Sequence, residues 1–116
     1  MPNVELDAAA RRAHRDLLRH LLGIREKLMM VDPTSLDEEK HAAWTEQIYQ
    51  VSLAIGYVRS VALGDVERDY ADLVVEAEAA LDAVTDDLYK IKRNVEAIRI
   101  VDGALGVVKE IVSLIR

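Results

Sequence analysis

Cysteine and phenylalanine are absent from the 116 residues, tryptophan occurs once, proline twice, tyrosine four times and glycine five times. Without cysteine there can be no disulfide and no thiolate metal site, which excludes a small secreted scaffold held by disulfides. With so little proline and glycine, few places can serve as turns. The near-absence of aromatics leaves the 51% hydrophobic content to Ala, Leu, Val and Ile, a make-up suited to closely spaced helices in which small side chains let backbones approach. A long uninterrupted apolar run is also missing. Residues 98–115 come nearest, but Arg99, Asp102, Lys109 and Glu110 interrupt them, and a spanning helix needs about 20 mostly apolar residues. Residues 1–10 carry Glu5 and Asp7 with no apolar core, so neither a signal peptide nor a transit peptide is predicted there. These absences together predict a cytoplasmic protein.

What punctuation there is predicts where helices begin and end. Pro33 disfavours helix at Asp32, and Ser35 opens a capping box with Glu38. Gly64 is suited to a left-handed C-cap and Asp65 to the next N-cap, while Asp102-Gly103 is a third, weaker break. Between the breaks, apolar residues recur at alternating spacings of three and four. Residues 4–31 carry Leu17, Leu21, Ile24, Leu28 and Val31 in one row; residues 36–63 carry Trp44, Ile48, Val51, Ile55, Val58 and Ala62. Each predicted rod is roughly 40 Å long at 1.5 Å per residue. In the third segment the row Val66, Tyr70, Leu73, Ala77, Ala80, Val84, Leu88, Ile91, Val95 and Ile98 contains consecutive steps of four, a stutter. The preferred reading is one continuous helix over 66–101 with a local change of twist, the alternative a break at Thr85. Residues 104–115 complete the set. The predicted fold is all-α: a single domain over residues 1–116, an antiparallel bundle of three long helices plus a short C-terminal one.

Charge is segregated along the chain. Residues 1–31 hold six Lys or Arg against four acids, residues 32–88 three against fourteen, and residues 89–116 six against three. The acidic middle can be neutralised by Arg11, Arg12, Arg15, Arg19 and the Lys90, Lys92, Arg93 cluster, or it can be a surface kept for a basic partner. Asp65, Asp69, Asp72 and Glu76 share one helical stripe and are the acidic candidates for partner contact. Such a face argues against nucleic acid, whose phosphates need clustered cations.

Motifs that could carry chemistry are few. Glu38 and His41 have the E-x-x-H spacing of di-iron bundles, but no second such motif accompanies them. No metal or other cofactor is therefore expected. Arg15-Asp16-Leu17-Leu18-Arg19-His20 resembles the R-x4-H motif of HEPN-type helical ribonucleases. Over those six residues, the resemblance implies that His20 acts as general acid or base toward a ribose 2′-hydroxyl while Arg15 holds the phosphate. In that family the motif generally lies in a later helix, whereas here it falls in the middle of the first.

The C-terminal segment is apolar around well over half its circumference, more than the stripe of about 100° that a monomer's surface helix needs. Leu105, Val108, Ile111, Val112 and Ile115 are the expected contact residues, in a homo-oligomer or against another protein. The narrow polar strip lacks the Lys and Arg density of membrane-surface helices. The leading functional expectation is a non-enzymatic protein working through protein contacts, as an oligomeric adaptor, an antitoxin or immunity-type inhibitor, or an accessory subunit; the alternative is the ribonuclease using Arg15 and His20.

Overall fold

A computed structural model describes residues 3–64 and 66–115. The described residues are mostly helical, 76% of them, in five α-helices with little sheet. Among the described residues no helix is long and apolar enough to cross a membrane.

Helix α1 spans Ala8–Met29 and starts later than its apolar pattern suggests. Asp7 sets the start, its carboxylate accepting the Ala10 N–H at 2.8 Å and so satisfying one of the free N–H groups of a first turn. Val4, expected in the helix, is extended instead. It belongs to strand β1, Asn3–Val4, which pairs antiparallel with β2, Val66–Glu67, Val4 facing Val66. Val66, expected to open the third helix, is likewise extended, a conformation that suits β-branched residues.

Helix α2 covers Glu38–Ser60. Its cap is Asp37, which accepts the Lys40 N–H at 2.8 Å, and not Ser35 as the capping-box pattern predicts. Ser35 closes a short 3-10 turn over Pro33–Ser35, where Asp32 accepts from both the Thr34 N–H and its hydroxyl. Helix α2 ends at Ser60 with Val61 extended, before Gly64; no described glycine has a positive φ, so the left-handed cap expected at Gly64 does not form. The expected cap Asp65 lies outside the described residues.

Helix α3 spans Arg68–Tyr89 and helix α4 Glu96–Asp102, which overturns the continuous helix over 66–101. The break is not at Thr85 either, since the Thr85 hydroxyl donates to the Leu81 carbonyl at 2.9 Å inside α3. It falls at residues 90–95. There the Glu96 carboxylate turns back to accept the N–H groups of Lys92 and Arg93 at 3.1 and 3.0 Å, and the Asn94 amide donates to the Met30 carbonyl at 3.2 Å. The stutter disappears as well. The inward row of α3 is Tyr70, Val74, Ala77, Leu81 and Leu88, with Val84 half-buried between the last two, a regular alternation of four and three. Leu73 and Ala80 stand beside that row, half-buried.

Helix α5, Leu105–Val112, follows directly after Gly103 and Ala104. Cross-links between helices give their directions. His14 meets Tyr70, His20 meets Glu78, and Lys27 lies over the ring of Tyr89, so α1 and α3 run the same way. Trp44 donates to the Leu28 carbonyl and Tyr57 packs on Tyr70, so α2 runs against both. The buried Gln47 amide donates to the Ile98 carbonyl at 2.8 Å, and Leu114 and Ile115 share a groove with Gly56 and Tyr57. Helices α4 and α5 therefore run along α2. Leu17, Leu21, Leu28, Val51, Val58, Val74, Leu81, Val108 and Ile111 form the fully buried centre.

Candidate functional site

The chemistry-bearing side chains of the interior gather on the seam between α1 and α3. Both helices turn an apolar face inward there, and the polar members of those faces are carried with them out of solvent.

Near one end, His14 Nδ1 and the Tyr70 hydroxyl are 2.6 Å apart, their rings edge-to-face at 5.8 Å. Tyr57 stacks edge-on against Tyr70 at 5.7 Å. Burial lowers the His14 pKa below its usual 6.5 and pushes the Tyr70 phenol well up, with nearby Tyr57 adding to the rise. Both effects favour the neutral forms, because a low-dielectric site penalises charge. We assign the Tyr70 hydroxyl as donor to Nδ1, which leaves the ring proton on Nε2. A pair so neutralised and shielded is built to hold helices together.

About a turn and a half further along α1, His20 points its Nε2 at two carboxylates of α3. Glu78 Oε2 is 3.1 Å away and Asp82 Oδ1 is 3.4 Å away. Glu78 and Asp82 stand one helical turn apart, so both project from the same face of α3. The three ligand-type atoms all lie within 4.8 Å of one another. His20 is only 7% exposed, whereas the Asp82 side chain is 59% exposed, so the cluster is walled by core on one side and open to water on the other. Sequence reasoning singled out His20 but not Glu78 or Asp82. Their spacing of four on a helix was visible, but their meeting with His20 depends on the register of α1 against α3.

Arg15, the other half of the R-x4-H pattern, is placed apart from this cluster. Its side chain is 74% exposed and lies 3.6 Å from Asp16, which also pairs with Arg19 at 3.2 Å. Five residues of helix separate Arg15 from His20 by about 140°, and the structure puts one in solvent and the other in the seam. Glu38 and His41 are both exposed in the first turn of α2, His41 edge-on to Trp44.

Of the expected contact residues, Asp69, Asp72 and Glu76 are exposed on α3, and Asp65 lies outside the described residues. On α5, Val108 and Ile111 are fully buried in the chain's own core, Leu105 and Val112 are half-buried, and beyond the helix Ile115 is 46% exposed. The apolar excess of this helix is thus largely taken up against α2 and α3. Exposed Met30 and Tyr89 line a groove of about 300 Å³ between the ends of α1 and α3.

The chain was compared with protein-family models, with curated proteins and with solved structures, and it matches none of them.

Proposed function

We propose that the protein acts by binding another protein, as an adaptor, an inhibitor of the antitoxin or immunity type, or an accessory subunit, with the outer face of α3 as the main contact surface and a cationic surface as its complement. One observation carries this reading: Asp72 and Glu76, both exposed on the outer face of α3, are not neutralised from within. Among the described residues no ion pair joins Asp72 or Glu76 to a cation, while Arg15 and Arg19 both pair with Asp16 on their own helix. Exposed carboxylates clustered in this way raise a field that speeds encounter with a basic surface and penalises acidic ones. Leu105, Val112 and Ile115 add an apolar margin beside α2 on which a partner or a second copy of the chain can rest. Ribonuclease chemistry is the weaker reading, because His20 already faces two carboxylates and Arg15 is held by Asp16.

Co-purification from the native cell at low and high salt, with the wild type and with an Asp72→Lys/Glu76→Lys variant, tests the proposal. The expected result is a partner retained at low salt, released at high salt and lost in the charge-reversed variant. An unchanged set of co-purifying proteins in that variant would remove the acidic face from consideration. RNA incubated with wild type and His20→Ala should remain uncut in both cases; cleavage by the wild type alone would reinstate the enzyme.

A further inference from the structure

We infer that His20, Glu78 and Asp82 form a binding site for one divalent transition-metal ion of the zinc class, bridging α1 and α3. The spacing of the three ligand atoms is the first ground. A tetrahedral ion with bonds of about 2.0–2.1 Å holds its ligand atoms about 3.3 Å apart. His20 Nε2 stands 3.1 Å from Glu78 Oε2 and 3.4 Å from Asp82 Oδ1, and the two carboxylate oxygens lie within the same 4.8 Å limit.

The second ground is electrostatic. Glu78 and Asp82 are like charges one turn apart on a helix, an arrangement that is unfavourable by itself. Among the described residues, the only nitrogen in salt-bridge reach of either carboxylate is His20 Nε2. Among the described residues no Lys or Arg is placed to neutralise them. A divalent cation supplies the missing charge and converts the repulsion into coordination.

The third ground is rigidity. His20 is followed at once by Leu21, and Glu78 and Asp82 flank Leu81; both leucines are fully buried. The helix faces that carry the ligands are therefore fixed by packing before any ion arrives, and such preorganisation reduces the ordering needed on binding. The ligand types decide the class of ion. An imidazole beside two carboxylates suits zinc, cobalt, iron or manganese, whereas magnesium and calcium prefer oxygen donors throughout. Three protein ligands leave a fourth position free on the open side, where the exposed Asp82 meets water, and this is the pattern of a site that can bind a further ligand.

The test is titration of chelator-treated protein with zinc, followed by calorimetry, and with cobalt, followed by its visible absorption bands. One ion per chain and the intense bands of four-coordinate cobalt are expected. His20→Ala, Glu78→Gln and Asp82→Asn should each weaken binding by more than about tenfold, the lower bound even for disturbing an outer-shell partner. His41→Ala should leave it unchanged. Asp82 is exposed enough that Asp82→Asn retains the fold, so its titration is informative even if His20→Ala unfolds. The inference is overturned if the wild type takes up no ion, if Asp82→Asn and Glu78→Gln bind as tightly as the wild type, or if His41→Ala abolishes uptake.

Discussion

Tyr70 and His14, 56 residues apart in sequence, meet through a 2.6 Å hydrogen bond in the buried seam between α1 and α3. The phenol is the polar partner that lets His14 be buried. Tyr70→Phe should therefore leave Nδ1 unpaired and cost about 1–3 kcal/mol, the usual range for an orphaned buried polar atom. Denaturant midpoints of the two proteins measure it; equal midpoints would mean that water satisfies Nδ1.

The same pair fixes a pH dependence. Burial lowers the folded pKa of His14 below 6.5, so between the folded and unfolded values the unfolded chain binds more protons. This contribution is fully present above pH 6.5 and is lost as pH falls toward the folded pKa. His14→Gln, compared with wild type across that window by urea titration, should show a flatter profile. A parallel profile would assign the pH effect to other groups.

Glu96 explains the break between α3 and α4 and gives the next prediction. Its carboxylate is held below the usual range, first by the Arg93 N–H, then by that of Lys92, with the nearby charges of Arg93 and Arg99 adding to the effect. Stability from this cap is present above the ordinary value of 4.5 and fades as pH falls below it. In Glu96→Ala, hydrogen exchange at residues 90–102 should quicken while α1 and α2 keep their protection. Uniformly faster exchange would mean that α4 is not a local unit.

Gln47 is fully buried, with its Nε2 on the Ile98 carbonyl and its Oε1 without a hydrogen-bond partner among the described residues. Gln47→Ala removes the bond and leaves a hole, for a loss of about 2–4 kcal/mol. Gln47→Leu fills the space and also removes the unpartnered oxygen, so its loss should be smaller. Thermal melts rank the two; equal losses would place the value of Gln47 in the hydrogen bond alone, and the reverse order would mean that leucine does not fit the space.

On the C-terminal segment, two substitutions of the same kind should behave in opposite ways. Val108→Asp places a charge in the sealed core and should unfold the protein or cost more than about 4 kcal/mol. Ile115→Asp, on a half-exposed residue, should stay within about 0.5 kcal/mol of wild type. Light scattering on Ile115→Asp also reads self-association, because a dimer resting on this margin would dissociate.

The sequence was most legible where local pattern and burial coincide. Leu17, Leu21, Ile24 and Leu28 are spaced three and four apart and all four are buried, because a single helix face is fixed by periodicity alone. The third segment shows the limit of that method. Leu73 and Val74, and likewise Ala80 and Leu81, are adjacent apolar residues, and only packing against α1 decided that Val74 and Leu81 turn inward. Caps misled in the same way: Ser35 and Asp37 are both good capping residues, and the 3-10 turn at Pro33 gave the role to Asp37. The break after Tyr89 was hidden because Lys90, Lys92, Arg93 and Glu96 are all residues that a helix accepts. The His20 cluster is a long-range property, set by two helices whose relative register no local signal contains.

The small pairing of Val4 with Val66 has a further meaning for how the chain is threaded. Asn3 lies opposite Glu67, and Glu67 borders the groove that also holds Ile115. The first and last described residues thus both lie at the end of the molecule where Glu67 sits. A circularly permuted version, joined by a few flexible residues from 115 to 3 and opened in the exposed turn at Pro33, should fold to the same shape.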